Sequence, residues 1–152
     1  MSTSLVFRVH GTPAPQGSKR HVGNGVMVES SAKVKPWRQD VKYAALEAHG
    51  ETCGSEGTHF PKGAPVFVAL TFYLSRPRGH YGSGRNAAVI KPSAPQFPGV
   101  KPDLDKLVRS TLDALGEAGI WGDDSQVVRI HASKVYTFDE IPAGARIEVG
   151  QA

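Results

Sequence analysis

One stretch of the chain is predicted to lie inside a β-sheet. Residues 65–74, Pro-Val-Phe-Val-Ala-Leu-Thr-Phe-Tyr-Leu, are almost continuously apolar and rich in β-branched and aromatic side chains. Such a run is typical of a central strand that neighbouring elements cover on both faces. With 152 residues, 39% of them apolar, the chain is long enough for one domain around one core. We therefore expect a single domain, residues 1–152, built around this strand.

The remaining predicted elements are shorter and mix helices with strands. Apolar residues recur at helical spacing from Trp37 to Ala48 and again from Leu104 to Ala118, with Gly119 as the stop. Because no strict strand–helix–strand repeat is present, the order predicts an α+β fold, a small mixed β-sheet with flanking helices. The other expected strands cover residues 5–10, 26–28, 126–136 and 145–149.

Positive charge is concentrated in the first two thirds of the chain. Residues 1–102 carry 13 Lys and Arg against 5 Asp and Glu, whereas residues 103–152 carry 5 against 9. A basic region beside an acidic one suits a protein that holds phosphates and a metal ion, although an ordinary solvated surface explains the charge equally well. The segment 75–101 contains no acidic residue and is predicted to be a long, flexible, basic loop.

Two absences narrow the class of protein. The single cysteine, Cys53, excludes an internal disulfide and argues against a thiolate zinc site. No apolar run approaches the roughly 20 residues of a membrane helix, and the first residues lack the pattern of a secretory signal. We therefore expect a cytoplasmic protein without a membrane partner.

Three aspartates around the second predicted helix give the most specific chemical signal. Asp103 and Asp105 stand at its start, and Asp124 follows it in a Trp-Gly-Asp-Asp turn. If the fold brings them together, they form an all-oxygen cluster, the ligand type that Mg²⁺ and Mn²⁺ prefer. Asp103 and Asp105 can share one face only if the helix starts near Asp105, because inside a helix their side chains would point ~200° apart. The alternatives are an N-cap role for Asp105 and turn roles for Asp123 and Asp124, only one of which can face the start of the helix.

Arg109 and Asp113 follow Asp105 along one flank of the helix, at positions i+4 and i+8. Arg109 is thereby placed to reach a phosphate oxygen, or to form an ordinary helix salt bridge. Asp113 is expected to be a supporting or surface acid.

The stretch from residue 101 to residue 134 closely resembles the RusA family of Holliday junction resolvases. The family pattern is Asp-x-Asp-Asn-Leu-x-Lys, then Asp-Ala-Leu and, after a short spacer, Asp-Asp-x-Gln-Val. Lys106 stands where the family has an asparagine, and Arg109 stands where the family has its active-site lysine. Arginine keeps the positive charge of that lysine but lacks its compact ammonium group. The loop at residues 11–20 also resembles phage-type members. The matching residues are Asp103, Asp105, Leu107, Asp113, Ala114, Leu115, Asp123, Asp124, Gln126 and Val127.

The resemblance implies a RusA-like homodimeric, Mg²⁺-dependent endonuclease, in which Mn²⁺ is expected to substitute. Its substrate would be four-way junction DNA, nicked symmetrically in two strands during recombination and repair. The catalytic, metal-binding aspartates of the family correspond to Asp103, Asp105 and Asp124, and Arg109 is the corresponding catalytic cation. Contacts with the DNA backbone, which position DNA without reading its sequence, are expected from Lys19, Arg20, Arg76, Arg78, Arg85 and Lys106.

Two other functions remain open from the sequence. One is a broader nuclease for flaps or replication forks, which a comparison of four-way, flap and linear DNA would distinguish. The other is a non-catalytic DNA-binding module in which the aspartates only cap a helix or form a turn. A nuclease assay with Mg²⁺ would reveal it.

Overall fold

The computed structural model describes residues 4–17, 19–21, 23–24, 27–29, 32–53, 57–138 and 141–152. These residues form a mixed four-stranded sheet, a two-stranded ribbon and two helices, which confirms the predicted α+β class. No helix in these ranges is long and apolar enough to cross a membrane. The helices are α1 (Val34–Cys53) and α2 (Leu104–Glu117). The strands are β1 (Leu5–His10), β2 (Lys19–His21), β3 (Met27–Glu29), β4 (Val66–Leu74), β5 (Val127–Tyr136) and β6 (Gly144–Gln151).

The strand β4 is central in the sheet, as its apolar sequence predicts. The strand order is β1-β6-β4-β5, and β4 pairs antiparallel with β6 and parallel with β5. The register shifts between Val66 and Phe67, where β5 begins beside β4. This irregularity lies next to the turn through which the chain passes from α2 into the sheet.

Only one face of β4 is fully buried. Its even-numbered residues from Val66 to Phe72 point into the core, whereas the residues between them are half-buried. The prediction that both faces are covered is therefore wrong, because the core residues of both helices pack with the same face. On the other face, the Arg8 guanidinium carbon lies 5.0 Å from the centre of the Tyr73 ring.

Buried hydrogen bonds fix α1 against α2. Trp37 Nε1 donates to the hydroxyl of Thr111 at 3.1 Å, and both residues are fully buried. The hydroxyl of Ser110 donates to the Ala14 carbonyl at 2.7 Å and ties the N-terminal loop to α2. Because buried polar groups are costly to leave unpaired, these bonds hold the N-terminal loop and the two helices in one arrangement.

The basic segment 75–101 contains local structure of its own. It includes 3₁₀ turns at Arg78–His80 and Gly84–Asn86, and an antiparallel bridge pairs Tyr81 with Ile90. The segment connects the end of β4 to the start of α2, so it lies next to Asp103 in the chain.

Candidate active site

Asp103 and Asp105 lie at the start of α2. Asp103 is the N-cap residue, with φ −69° and ψ 134°, and the helix begins at Leu104. The Asp103 carboxylate makes no capping hydrogen bond and lies 3.4 Å from the ammonium group of Lys106. The predicted helix start at Leu104 is confirmed, but Asp105 then lies inside the helix, so the condition under which Asp103 and Asp105 would share one face is not met. The alternative of Asp105 as the N-cap is wrong, because Asp103 occupies that position.

A lysine on β5 fixes the segment before α2. Lys134 Nζ donates to the carbonyls of Val100 at 2.6 Å and Pro102 at 2.8 Å. Because these acceptors directly precede Asp103, the two bonds determine where the first carboxylate lies relative to the sheet. This role has no signal in the sequence, where Lys134 is an ordinary cation on a strand.

The turn after α2 carries Asp124. Gly119 follows the helix with a φ of +80°, a conformation that glycine adopts freely, which confirms the predicted stop. The Asp124 carboxylate accepts a hydrogen bond from Nε1 of the buried Trp121 at 3.0 Å. A Cβ added at Gly116 would lie 3.1 Å from the same carboxylate oxygen. Glycine in the last turn of α2 therefore lets Asp124 lie close to the helix.

Asp123 and Asp124 have different roles. Asp123 caps the 3₁₀ turn Asp124–Gln126, and the hydrogen bonds from Ser125 lower the pKa of the Asp123 carboxyl. Asp124 lies against the C-terminal end of α2, beside Gly116. The expectation that one of the pair faces the start of the helix is not met by this contact, because the turn folds directly back onto the last helical turn.

Gln126 joins this turn to the segment before β4. Its buried side chain accepts hydrogen bonds from the amides of Gly122 and Asp123, both at 2.9 Å. It donates to the carbonyls of Pro61 and Ala64, also at 2.9 Å. Both donors of the amide and two acceptor positions are thus satisfied by backbone groups. The sequence shows Gln126 only as a motif residue, so this structural role was missed.

Further contacts support the same turn. The amides of His59 and Phe60 donate to the carbonyls of Gly119 at 3.1 Å and Ile120 at 3.0 Å. His59 Nδ1 also lies 3.0 Å from Nδ1 of His49 on α1. Burial and the neighbouring His49 lower the pKa of His59, so the neutral ring is favoured here. The turn that carries Asp124 is therefore held from α1 as well as from the segment before β4.

One groove beside α2 is lined by Asp105, Arg109, Asp113 and Asp124. It has a volume of about 260 Å³, and Trp121 also lines it. Asp103 does not line it. Residues eight apart in a helix, as Asp105 and Asp113 are, stand about 12 Å apart along the axis, so the acids are spread along the groove. In the described ranges, no three His, Cys, Asp or Glu side chains are close enough to hold one metal ion together.

The pKa of the Asp113 carboxyl is raised. Partial burial is the main cause, and the negative charges of Asp124 and Glu117 contribute, while the guanidiniums of Arg38 and Arg109 act in the opposite direction. Asp113 is therefore more than a surface acid, because it adds negative charge next to Asp124. A groove with this charge is a favourable place for a cation.

The predicted DNA contacts on segment 75–101 differ in their surroundings. Arg78 and Arg85 are exposed in the two 3₁₀ turns. Arg76 is partly buried, donates to the Pro95 carbonyl at 2.8 Å and has its guanidinium carbon 4.4 Å from the centre of the Tyr136 ring. Arg76 thus holds the segment against the end of β5.

The other predicted DNA contacts belong to α2 and β2. Lys106 is half-buried and close to Asp103. Lys19 and Arg20 belong to β2, but their side chains lie outside the described part of the structure.

Comparisons with known proteins identify the family of this chain. Residues 10–149 match the family model described as Endodeoxyribonuclease RusA. The chain is also 32% identical over 135 residues to the uncharacterized protein YqaN of Bacillus subtilis (strain 168), a match that covers 88% of each chain. The family match, with which the fold is consistent, supports a nuclease. The chain belongs to the RusA family of endodeoxyribonucleases, which at the family level supports a Holliday junction resolving enzyme with a general requirement for divalent metal.

Proposed function

We propose that this protein is a divalent-metal-dependent endodeoxyribonuclease that resolves four-way DNA junctions by two symmetric nicks. The observation that supports the proposal is the groove beside α2, whose lining includes Asp105, Arg109 and Asp124. Carboxylates supply ligands for a metal ion, and a guanidinium supplies a ligand for a phosphate. The exposed cations of the basic segment would hold the junction arms.

The metal is proposed to be Mg²⁺, with Mn²⁺ able to substitute. By the family motif its ligands would be Asp103, Asp105 and Asp124. Of these, Asp105 and Asp124 line the groove together with the adjoining acid Asp113, whereas Asp103 stands at the start of α2 outside it. The fit rests on the donor chemistry, because all of these ligands are carboxylate oxygens and Mg²⁺ takes few of them while keeping several waters. When bound, such an ion activates water and stabilises charge on the phosphate.

The residues of the chain itself orient the carboxylates and neutralise the phosphate. Arg109 presents its guanidinium beside the acids, where its charge offsets the charge that develops on the scissile phosphate. The indole of Trp121 orients Asp124, and Gln126 holds the backbone of the turn. At the other end of α2, Lys106 offsets the charge of Asp103. These contacts are present before DNA binds, so less reorganisation is needed during the reaction.

Cleavage of matched synthetic DNAs tests the proposal. A four-way junction, a flap and a linear duplex of the same arm sequences would be incubated with the protein in Mg²⁺, in Mn²⁺ and in EDTA. We expect paired nicks in the junction with either metal and none in EDTA. Faster cleavage of the flap would support the broader branched-DNA nuclease instead. Binding to the junction without cleavage under any metal condition would support the non-catalytic module.

Asp113→Asn is expected to raise the thermal stability of the metal-free protein at pH 7. The pKa of Asp113 in the folded state lies above its ordinary value of 3.8. Stability from this group is therefore present at low pH and is lost as the pH rises through the folded pKa, so the ionised carboxylate is unfavourable at pH 7. Calorimetry should show a higher Tm for the variant at pH 7 and a difference that shrinks toward pH 4.

The same experiment reports on metal binding without an activity assay. Mg²⁺ should raise the Tm of the wild-type protein, because a ligand that binds only the folded state stabilises it. The rise should be smaller in Asp113→Asn and in Asp124→Asn. An identical rise in all three proteins would place the metal outside this groove.

Replacing Arg78 and Arg85 with Ala is expected to weaken junction binding and flatten its salt dependence. Each lost phosphate contact should lower the slope of log K against log salt by about 0.9. Arg76→Ala is the contrasting variant, because its guanidinium is used inside the protein. It should instead destabilise the fold by about 1–2 kcal/mol. Fluorescence anisotropy between low and moderate salt measures the slopes, and an unchanged slope in the double variant would exclude these arginines as phosphate contacts.

The protein is proposed to act as a homodimer. A four-way junction is approximately two-fold symmetric, and two protomers related by such an axis would place one groove at each of two opposed strands. Sedimentation should therefore show a dimer at micromolar concentration without DNA. Mixing wild-type protomers with Asp105→Asn protomers should give junctions nicked in one strand only. A monomer that makes paired nicks at full rate would contradict the dimer.

A further inference from the structure

A second and larger cleft lies on the other side of Asp113. It has a volume of about 620 Å³ and is formed where α1 faces α2. Arg109 and Asp113 line both this cleft and the groove described above, so the two lie side by side. The remaining lining residues are Gln16, Val34, Lys35, Arg38, Gln39, Lys42 and Glu117.

The sequence of α1 places three cations along the edge of this cleft. Lys35, Arg38 and Lys42 are spaced i, i+3 and i+7, which puts them on one side of a helix. They lie next to the buried stripe that contains Trp37 and Val41, so they emerge where α1 meets α2. Lys35 and Lys42 are exposed, and Arg38 is about one quarter exposed at 28% of its side-chain surface.

The balance of charge in the cleft favours an anion. Four cations, with Arg109 as the fourth, face the two acids Asp113 and Glu117. Arg38 forms an ion pair with Glu117. Among the described residues, the ion pairs that the structure shows involve neither Lys35 nor Lys42 nor Arg109. Three cations of the cleft are therefore available for an external anion.

The dimensions of the cleft suit a chain of phosphates. Lys35 and Lys42 are separated by seven residues, about 10 Å along the helix axis. One strand of B-DNA rises about 3.4 Å per phosphate, so this distance corresponds to about three nucleotides. Because Arg109 lines both the cleft and the acidic groove, a strand in the cleft would pass next to Arg109.

We infer that this cleft binds the sugar–phosphate backbone of the DNA strand next to the scissile phosphate, with Lys35 and Lys42 as phosphate contacts. The inference rests on the proposed nuclease function and extends it, because neither the sequence motif nor the predicted DNA contacts include α1. Arg38 takes a positioning role, since its ion pair with Glu117 holds the wall of the cleft.

A pair of matched double variants tests the inference. Lys35→Ala with Lys42→Ala removes two charges from the cleft. Arg8→Ala with Arg146→Ala removes two charges from paired positions of β1 and β6, on the face of the sheet away from the helices. Junction binding would be measured in EDTA by anisotropy over a range of salt concentrations. We expect the cleft variant to bind at least about tenfold more weakly, with a slope lower by about 1.8, and the sheet variant to resemble wild type.

Each outcome has a distinct meaning. If the cleft variant and the sheet variant have the same slope and affinity, the inference is wrong while the nuclease function stands. If the wild-type protein neither binds nor cleaves branched DNA, both fail together. Lys35→Arg with Lys42→Arg keeps the charges and should restore binding. If circular dichroism shows that the alanine variant is unfolded, Lys35→Gln with Lys42→Gln replaces it, and normal binding by that variant would overturn the inference.

Discussion

Asp124→Asn is expected to abolish cleavage of a four-way junction in Mg²⁺, by at least about a hundredfold. Asparagine keeps the size of the side chain and a hydrogen-bond acceptor for Trp121, so the turn should remain folded. It removes the negative charge that a metal ion requires. Asp103→Asn and Asp105→Asn should have effects of the same size. Single-turnover assays with labelled junctions measure the rates.

Junction binding should survive in all three variants, or become tighter, because a negative charge near a phosphate is removed. Asp123→Asn is the matched control from the same turn. Its carboxylate is used to cap the 3₁₀ turn, and asparagine is also a good cap, so activity should stay within a fewfold of wild type. Full activity in Asp124→Asn would overturn the assignment. A complete loss in Asp123→Asn alone would exchange the roles of the two residues.

Gln126→Leu is expected to destabilise the protein by about 3 kcal/mol and to remove most of its activity. Leucine fills a similar volume but leaves four backbone groups without their partners, at a cost of about 1–3 kcal/mol for each one that stays buried. The turn would then no longer be held against Pro61 and Ala64, and Asp124 would lose its fixed position. Urea unfolding measures the first effect, and cleavage at a temperature where the variant is folded measures the second.

Val128→Ala is the matched control for the loss of stability, because Val128 is two residues away and 60% exposed. Its effect should stay within about 0.5 kcal/mol, as is usual at surface positions. If Gln126→Leu is as stable and active as this control, the turn does not depend on the amide.

The sequence was sufficient to predict the elements whose signals are local. The continuous apolar run of β4, the apolar stripe of α2 and the stop at Gly119 each follow from the periodicity or the conformational preference of neighbouring residues. The prediction failed at the face of β4 that is only half-buried. Coverage of a sheet depends on where both helices pack, and this is a property of the whole fold.

The candidate site could be predicted only in part, because its residues are visible in the sequence but their arrangement depends on the whole fold. The motif identified Asp103, Asp105 and Asp124, but it gave no distances between them. Their spread along α2 depends on how the turn after the helix folds back, which Gly116 and Trp121 determine. The cations of α1 were missed because only the packing of α1 against α2 places them beside Arg109. In the sequence they are ordinary polar residues of an amphipathic helix.

The hydrogen bonds of Gln126 depend on its own side chain but only on the main chain of its partners, so the positions on the two sides of the contact should tolerate substitution to different extents. On one side of the contact, only an amide side chain offers two donors and an acceptor in the required places. On the other side, Pro61 and Ala64 contribute main-chain carbonyls, which every amino acid possesses. Substitutions at positions 61 and 64 should therefore leave the active site intact, whereas substitutions at position 126 should not. Libraries that vary the segment before β4 are a route to change the surface near Asp124 while its position is retained.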